Sequence, residues 1–110
     1  MEVLSWYDKT LNKEYLTQAY YGIDFTAGLV SNEVIDPSNS SVTAEDMEGN
    51  DVTFDIVDTA SLSVSADQKT LLFILKASDK SYAGKIILLN IVGYVNANKQ
   101  IEKKVWLFIS

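Results

Sequence analysis

The last quarter of the chain, Gly84 to Ile109, leaves the fewest ways to fold. It reads GKIILLNIVGYVNANKQIEKKVWLFI, two apolar runs, Lys85–Val95 and Ile101–Ile109, around the polar Asn96-Ala97-Asn98-Lys99. β-Branched and aromatic side chains pack well on a pleated surface, and asparagine tolerates the positive backbone angles of a tight turn. This spacing predicts a long antiparallel hairpin. Alternation puts Ile87, Leu89, Ile91 and Val95 on one side of the first strand and Ile86, Leu88, Asn90 and Tyr94 on the other. In the second strand Val105, Leu107 and Ile109 oppose Trp106 and Phe108. Both faces are therefore largely apolar, whereas an antiparallel strand with one wet face pairs an apolar set with a polar one. One face belongs in the core. The other, with Ile86, Leu88, Tyr94, Trp106 and Phe108, needs a cover, because such a patch exceeds what a monomer ordinarily leaves wet. Two covers are open: Met1–Tyr7 or Glu14–Tyr21 folded across it, or another protein molecule.

The remainder reads as short strands and polar turns. Residues 1–13 are expected to form an N-terminal arm or edge strand, with Val3, Leu4, Trp6 and Tyr7 followed by polar Asp8–Lys13. Residues 14–110 are expected to form the domain proper. Glu14–Phe25 is crowded with Tyr15, Tyr20, Tyr21 and Phe25 and is predicted as a strand, although Leu11, Tyr15, Leu16 and Ala19 also fall at helical spacing. Leu29–Ile35 is a further apolar stretch, and Pro37 after it, lacking an N–H, belongs at an edge, a bulge or a turn. Val52, Phe54 and Ile56 alternate with polar neighbours as in a half-buried strand, as do Leu62 and Val64. Thr70–Lys76 reads as a strand buried on both faces. About seven strands with turns at short intervals predict an all-β fold, an immunoglobulin-like β-sandwich. Its core is expected from Phe25, Val52, Phe54, Leu71, Phe73, Leu75, Ile87, Leu89, Ile91, Val105 and Leu107.

Composition bounds the chemistry. The chain of 110 residues is 47% hydrophobic and 22% charged, the balance of one ordinary globular domain. A net charge of −6 argues against a nucleic-acid backbone or an anionic membrane as partner. No apolar run approaches the ~18 residues of a membrane span, and MEVLSWYDKT lacks the basic start and apolar centre of a secretory signal. There is no cysteine and no histidine, hence no thiolate nucleophile, no Ser-His-Asp triad and no histidine-held metal. Only carboxylates, lysine and tyrosine remain as acids and bases, so neither an enzymatic role nor a cofactor is expected.

Four patterns invite a sharper reading. Asp46-Met47-Glu48-Gly49-Asn50-Asp51, within an acidic stretch to Asp58, has oxygens around a glycine turn as calcium sites do, but departs from EF-hand spacing, and solvated loop charges are the plainer account. Asn39-Ser40-Ser41 matches the glycosylation pattern, which recurs by chance. Trp6, Tyr15, Tyr20 and Tyr21 could stack on a sugar, though tyrosine at strand positions is usually core or interface. Lys103-Lys104 reads as an edge guard or solubility device.

Tyr21-Gly22-Ile23-Asp24-Phe25, then Leu29, resembles the Y-x-I-D-F/W opening of small tailed-phage virion proteins. The order continues with a serine- and valine-bearing strand at Ile35–Val42, a middle strand at Thr70–Leu75, a glycine-led strand at Gly84–Val95 and a closing strand at Gln100–Ile109. The resemblance, over residues 20–109, implies an immunoglobulin-like accessory piece of a virion: capsid decoration, head fibre or fibre–tail adaptor. It implies contacts with capsid, fibre or tail proteins, and leaves a homo-oligomer open. The alternative from the residues is a carbohydrate- or cell-surface-binding module of a bacterial adhesin or secreted protein.

Overall fold

In the computed structural model, which describes residues 1–95 and 99–110, eight strands form two sheets. The strands are β1 (Glu2–Leu4), β2 (Thr10–Lys13), β3 (Ala19–Asp24), β4 (Ile35–Glu45), β5 (Val57–Val64), β6 (Thr70–Leu75), β7 (Ile86–Val95) and β8 (Lys99–Ile109). One sheet has the order β1-β3-β6-β5 and the other β2-β8-β7-β4. With β2 set aside, the strand order is that of an immunoglobulin constant-type sandwich, ABED facing GFC, but β1 runs parallel to its neighbour β3 where strand A of that fold runs antiparallel to strand B. The fold is an all-β sandwich. The turn expected at Asn96-Ala97-Asn98 lies outside the described residues, but β7 and β8 pair antiparallel from Ile86↔Phe108 to Val95↔Lys99, the hairpin that the sequence predicts.

Alternation sorts the hairpin as expected. Ile87, Leu89, Ile91 and Val95 of β7 and Val105, Leu107 and Ile109 of β8 are all buried between the sheets. Leu71, Phe73 and Leu75 of β6 face them from the other sheet, fully buried. Leu72 and Ile74, on the outer side of β6, are only half-buried, so this strand has one true core face. Gly93 leaves the space that Phe25 fills, since a Cβ there would lie 3.2 Å from the phenyl ring.

Residues 1–13 supply an edge strand to each sheet. β1 runs parallel to β3, β2 runs parallel to β8, and the turn at Ser5–Asp8 carries the chain between the sheets. Leu4 and Leu11 are buried in the common core, which makes this segment part of the sandwich. Of Glu14–Phe25, only Ala19–Asp24 is strand; Glu14–Gln18 is a turn that opens with the Thr17 N–H on the Glu14 carbonyl. Pro37 lies on edge strand β4, where the pairing with β7 breaks between Asp36 and Ser41. Across that break Ser40 Oγ accepts from the Tyr94 N–H at 2.9 Å, replacing the ladder bond.

One expected strand is absent. Thr53–Ile56 is a single helical turn, α1, and the 77% exposure of Phe54 removes it from the core, with Val52 only half-buried. The cause is local: Asp51 Oδ1 accepts from both the N–H and the hydroxyl of Thr53, at 2.9 and 2.6 Å, turning the chain before a strand can start. Burial then follows helical spacing, with Thr53 and Ile56 inward and Phe54 outward.

Candidate interaction face

The outer face of the β2-β8-β7-β4 sheet carries the residues that the sequence marks as an interface. Ile86 lies opposite Phe108 and Leu88 opposite Trp106, in successive outward rows of the ladder. Such neighbours have Cβ atoms about 5 Å apart, so the four side chains form one apolar cluster. Ile86, Trp106 and Phe108 are 36%, 40% and 39% exposed, while Leu88 between them is half-buried. Tyr94 is not part of this cluster. It shares the face but lies six positions along β7 from Leu88, roughly 20 Å away. Between them come the rows Asn90–Lys104 and Val92–Glu102.

Neither N-terminal segment covers the cluster. Of the segments that could, Met1–Tyr7 runs along the other sheet and crosses at the sandwich edge, and Glu14–Gln18 caps an end. β2 lies beside β8 in the plane of the sheet, placing Thr10 next to Trp106 and Asn12 next to Phe108.

At the end where β7 begins, the cluster runs into an open cleft of about 140 Å³, lined by Asp46, Met47, Glu48, Tyr82, Lys85 and Ile86 among others. Met47, 64% exposed, extends the apolar surface past Ile86. Sequence reading had no signal for it, because only the fold of the β4–α1 turn brings residue 47 beside residue 86. Behind the cleft, the Tyr82 hydroxyl donates to Asp55 Oδ2 at 2.6 Å. That bond to a carboxylate, with burial and Coulombic repulsion adding to it, pushes the phenol up to about 12.

The remaining candidate groups are dispersed. Asp46 is engaged in its own turn, accepting from the Glu48 and Asn50 N–H groups and the Asn50 amide at 2.9, 2.9 and 3.1 Å. These bonds, Asn50's first, hold its carboxyl below the usual range. Among the described residues no three acidic, histidine or cysteine side chains converge as a cation cage would need. The Asn39 amide donates to Asp36 at 2.7 Å in a bulged loop. The four aromatic residues proposed for sugar stacking do not share a surface. Tyr21 is buried and stacked on Phe73, Trp6 tilts against Phe25 at 5.5 Å between centroids, and Tyr20 points out of the opposite sheet.

The two lysines part company. Lys104 is exposed and 3.8 Å from Glu102. Lys103 points inward, 8% exposed, where its ammonium lies 5.4 Å from the Trp6 ring centroid and donates to the Trp6 carbonyl. Loss of solvation, only partly countered by Asp8, lowers its pKa.

No family model and no curated protein sequence matches the chain. Among solved structures, the chain is similar to CopC from Methylosinus trichosporium OB3b. The TM-score is 0.55 at 12% identity, over 94% of this chain and 83% of that one. What the two share is the β-sandwich fold.

Proposed function

We propose that this chain is a non-enzymatic structural module of a tailed-phage virion, a decoration, head-fibre or fibre–tail adaptor piece, that works by protein–protein contact. The observation that supports this reading is the apolar cluster Ile86–Leu88–Trp106–Phe108, paired across two strands and left uncovered by the chain's own N-terminal segments. Tryptophan and other large apolar side chains in such a setting dominate binding energy when a partner excludes water around them. The absence of cysteine and histidine from the sequence supports a role without catalysis. The Tyr21–Phe25 opening supports the virion setting by resemblance.

The test is Trp106→Ser combined with Phe108→Ser in a binding assay against the particle's capsid, fibre and tail proteins. Both side chains face outward, so the variant should keep its β circular dichroism while losing association. A wild-type chain that binds none of these proteins and does not self-associate would overturn the reading.

A further inference from the structure

We infer that the chain carries a saccharide site where α1 meets the connection from β6 to β7, a cleft that takes one neutral sugar unit of a glycan. It is separate from the contact face proposed above and does not rest on that reading.

α1 and the β6–β7 connection enclose a second open cleft of about 370 Å³, on the far side of Tyr82 from the one beside Ile86. Its volume falls within the roughly 300–1,000 Å³ of small-molecule sites. Phe54, Asp55, Lys76, Asp79, Ser81 and Tyr82 form its walls. The helical turn that removes Phe54 from the core presents its ring here, 77% exposed. Polar groups of both kinds stand around that ring. Lys76 Nζ donates one hydrogen to the Phe54 carbonyl at 2.5 Å and keeps two. Asp55 Oδ2 accepts from the Tyr82 hydroxyl, and Asp79 Oδ1 accepts from the Ser81 N–H at 3.2 Å. Each carboxylate is thus held in place through one oxygen. The other, Asp55 Oδ1 or Asp79 Oδ2, has no protein partner among the described residues, nor has the Ser81 hydroxyl.

An exposed ring flanked by paired donors and acceptors matches the two-sided chemistry of a pyranose. The C–H bonds of one sugar face are attracted to the negative face of an aromatic ring. Its hydroxyls both donate and accept, so neighbouring carboxylate and ammonium groups hold adjacent ones through charge-assisted bonds. Other ligand classes fit worse. A hydrophobic ligand would strip water from Asp55, Asp79 and Lys76 without replacing it. An organic cation would meet the Lys76 ammonium. An anionic sugar would meet a field of its own sign: besides the Asp55 hydrogen bond, which raises the Tyr82 phenol most, the charges of Asp55, Asp46 and Asp79 all raise it. The cleft is open to solvent, which leaves room for a glycosidic neighbour, so the source is a glycan chain.

Amide NMR of the isotope-labelled full chain tests this, by titration with the methyl glycosides of glucose, galactose, mannose and N-acetylglucosamine, and with glucuronate as the anionic probe. At least one neutral glycoside should shift the Phe54, Asp55 and Ser81 signals saturably. Its Kd should be millimolar, because an open cleft leaves much of the ligand wet. Phe54→Ser spares the core, since the ring faces solvent, and should raise that Kd about tenfold. Asp79→Asn retains the oxygen that accepts from Ser81 and should raise it about threefold or more. Trp106→Ser with Phe108→Ser should leave it unchanged. No saturable shift with any of the four neutral glycosides overturns the inference. So does a Kd indifferent to both Phe54→Ser and Asp79→Asn, or one that moves only with the Trp106 and Phe108 substitutions. Glucuronate binding as tightly as the neutral sugars overturns the neutral specificity. A free sugar that binds where its methyl glycoside does not overturns the glycan source.

Discussion

Leu89 and Phe54 show how much a single side chain's direction decides. Leu89 lies in the middle of β7 with 0% exposure, walled in by both sheets. Leu89→Ala should therefore cost ~2–5 kcal/mol in a denaturant titration, the transfer term plus the cavity left behind. Phe54 is as large, yet a single helical turn aims it at solvent, and Phe54→Ser should change stability by no more than ~0.5 kcal/mol. Tyr82 supplies a spectroscopic signature. Its pKa is raised to about 12 by Asp55, so its contribution to stability is present below the ordinary value of 10 and is lost as pH rises through 12. In a phenolate absorbance titration Tyr82→Phe should remove a late-titrating component, and Asp55→Asn should move that component toward 10. Unchanged curves would mean that the Tyr82–Asp55 bond does not hold in solution.

At the scale of elements, the N-terminal thirteen residues behave as part of the sandwich. β1 and β2 are three and four residues long and are held by parallel pairing, yet they bury Leu4 and Leu11 and bring Trp6 over Lys103. Deleting residues 1–13 would uncover the edges of β3 and β8, strip the cover from the core and leave the buried lysine without its carbonyl acceptor. The truncated chain should unfold or aggregate, because open strand edges template pairing with other chains. A truncated chain that stays soluble, with a melting temperature near that of the full chain, would show this segment to be a dispensable arm. Lys103 also explains how β8 tolerates a partly open edge. β2 pairs only with Trp106–Ile109, and upstream of it an inward-pointing charge is a known deterrent to strand addition.

The whole molecule answers to acid through its turns. Asp36, Asp46, Asp51 and Asp67 all have carboxyls held below their ordinary value of 3.8 by hydrogen bonds within their own loops. Depressed carboxylates add stability above that value and lose it as pH falls through the lower, folded-state values. The melting temperature should accordingly drop below pH 3.8, while millimolar calcium or EDTA at neutral pH should leave it unchanged. A saturable rise with calcium would reveal a cation site, since a ligand that prefers the native state must stabilise it. Much of the architecture was legible in the sequence because a strand's two faces differ by a period of two, a local and nearly inescapable property. That period sorts β7 and β8 into an inner set and an outer set, and it identifies Leu71, Phe73 and Leu75 as neighbours in one layer. It also marked Ile86, Leu88, Trp106 and Phe108 as the face in need of a cover. What it could not decide depends on contacts between residues far apart in the chain. The same alternation that places Leu107 inward also places Lys103 inward, and only Trp6, 97 residues away, makes that tolerable. Val52, Phe54 and Ile56 carry the pattern of a strand, but the hydrogen bonds that Thr53 donates to the Asp51 carboxylate end the extended chain first. Tyr94 has the outer phase and still stands apart from the cluster, because phase fixes the side of a sheet and register fixes the distance along it. Met47 meets Ile86 only through the path of a turn. Periodicity is a one-dimensional property and determines faces; neighbours are set by how the sheets pair and close, which only the tertiary structure decided.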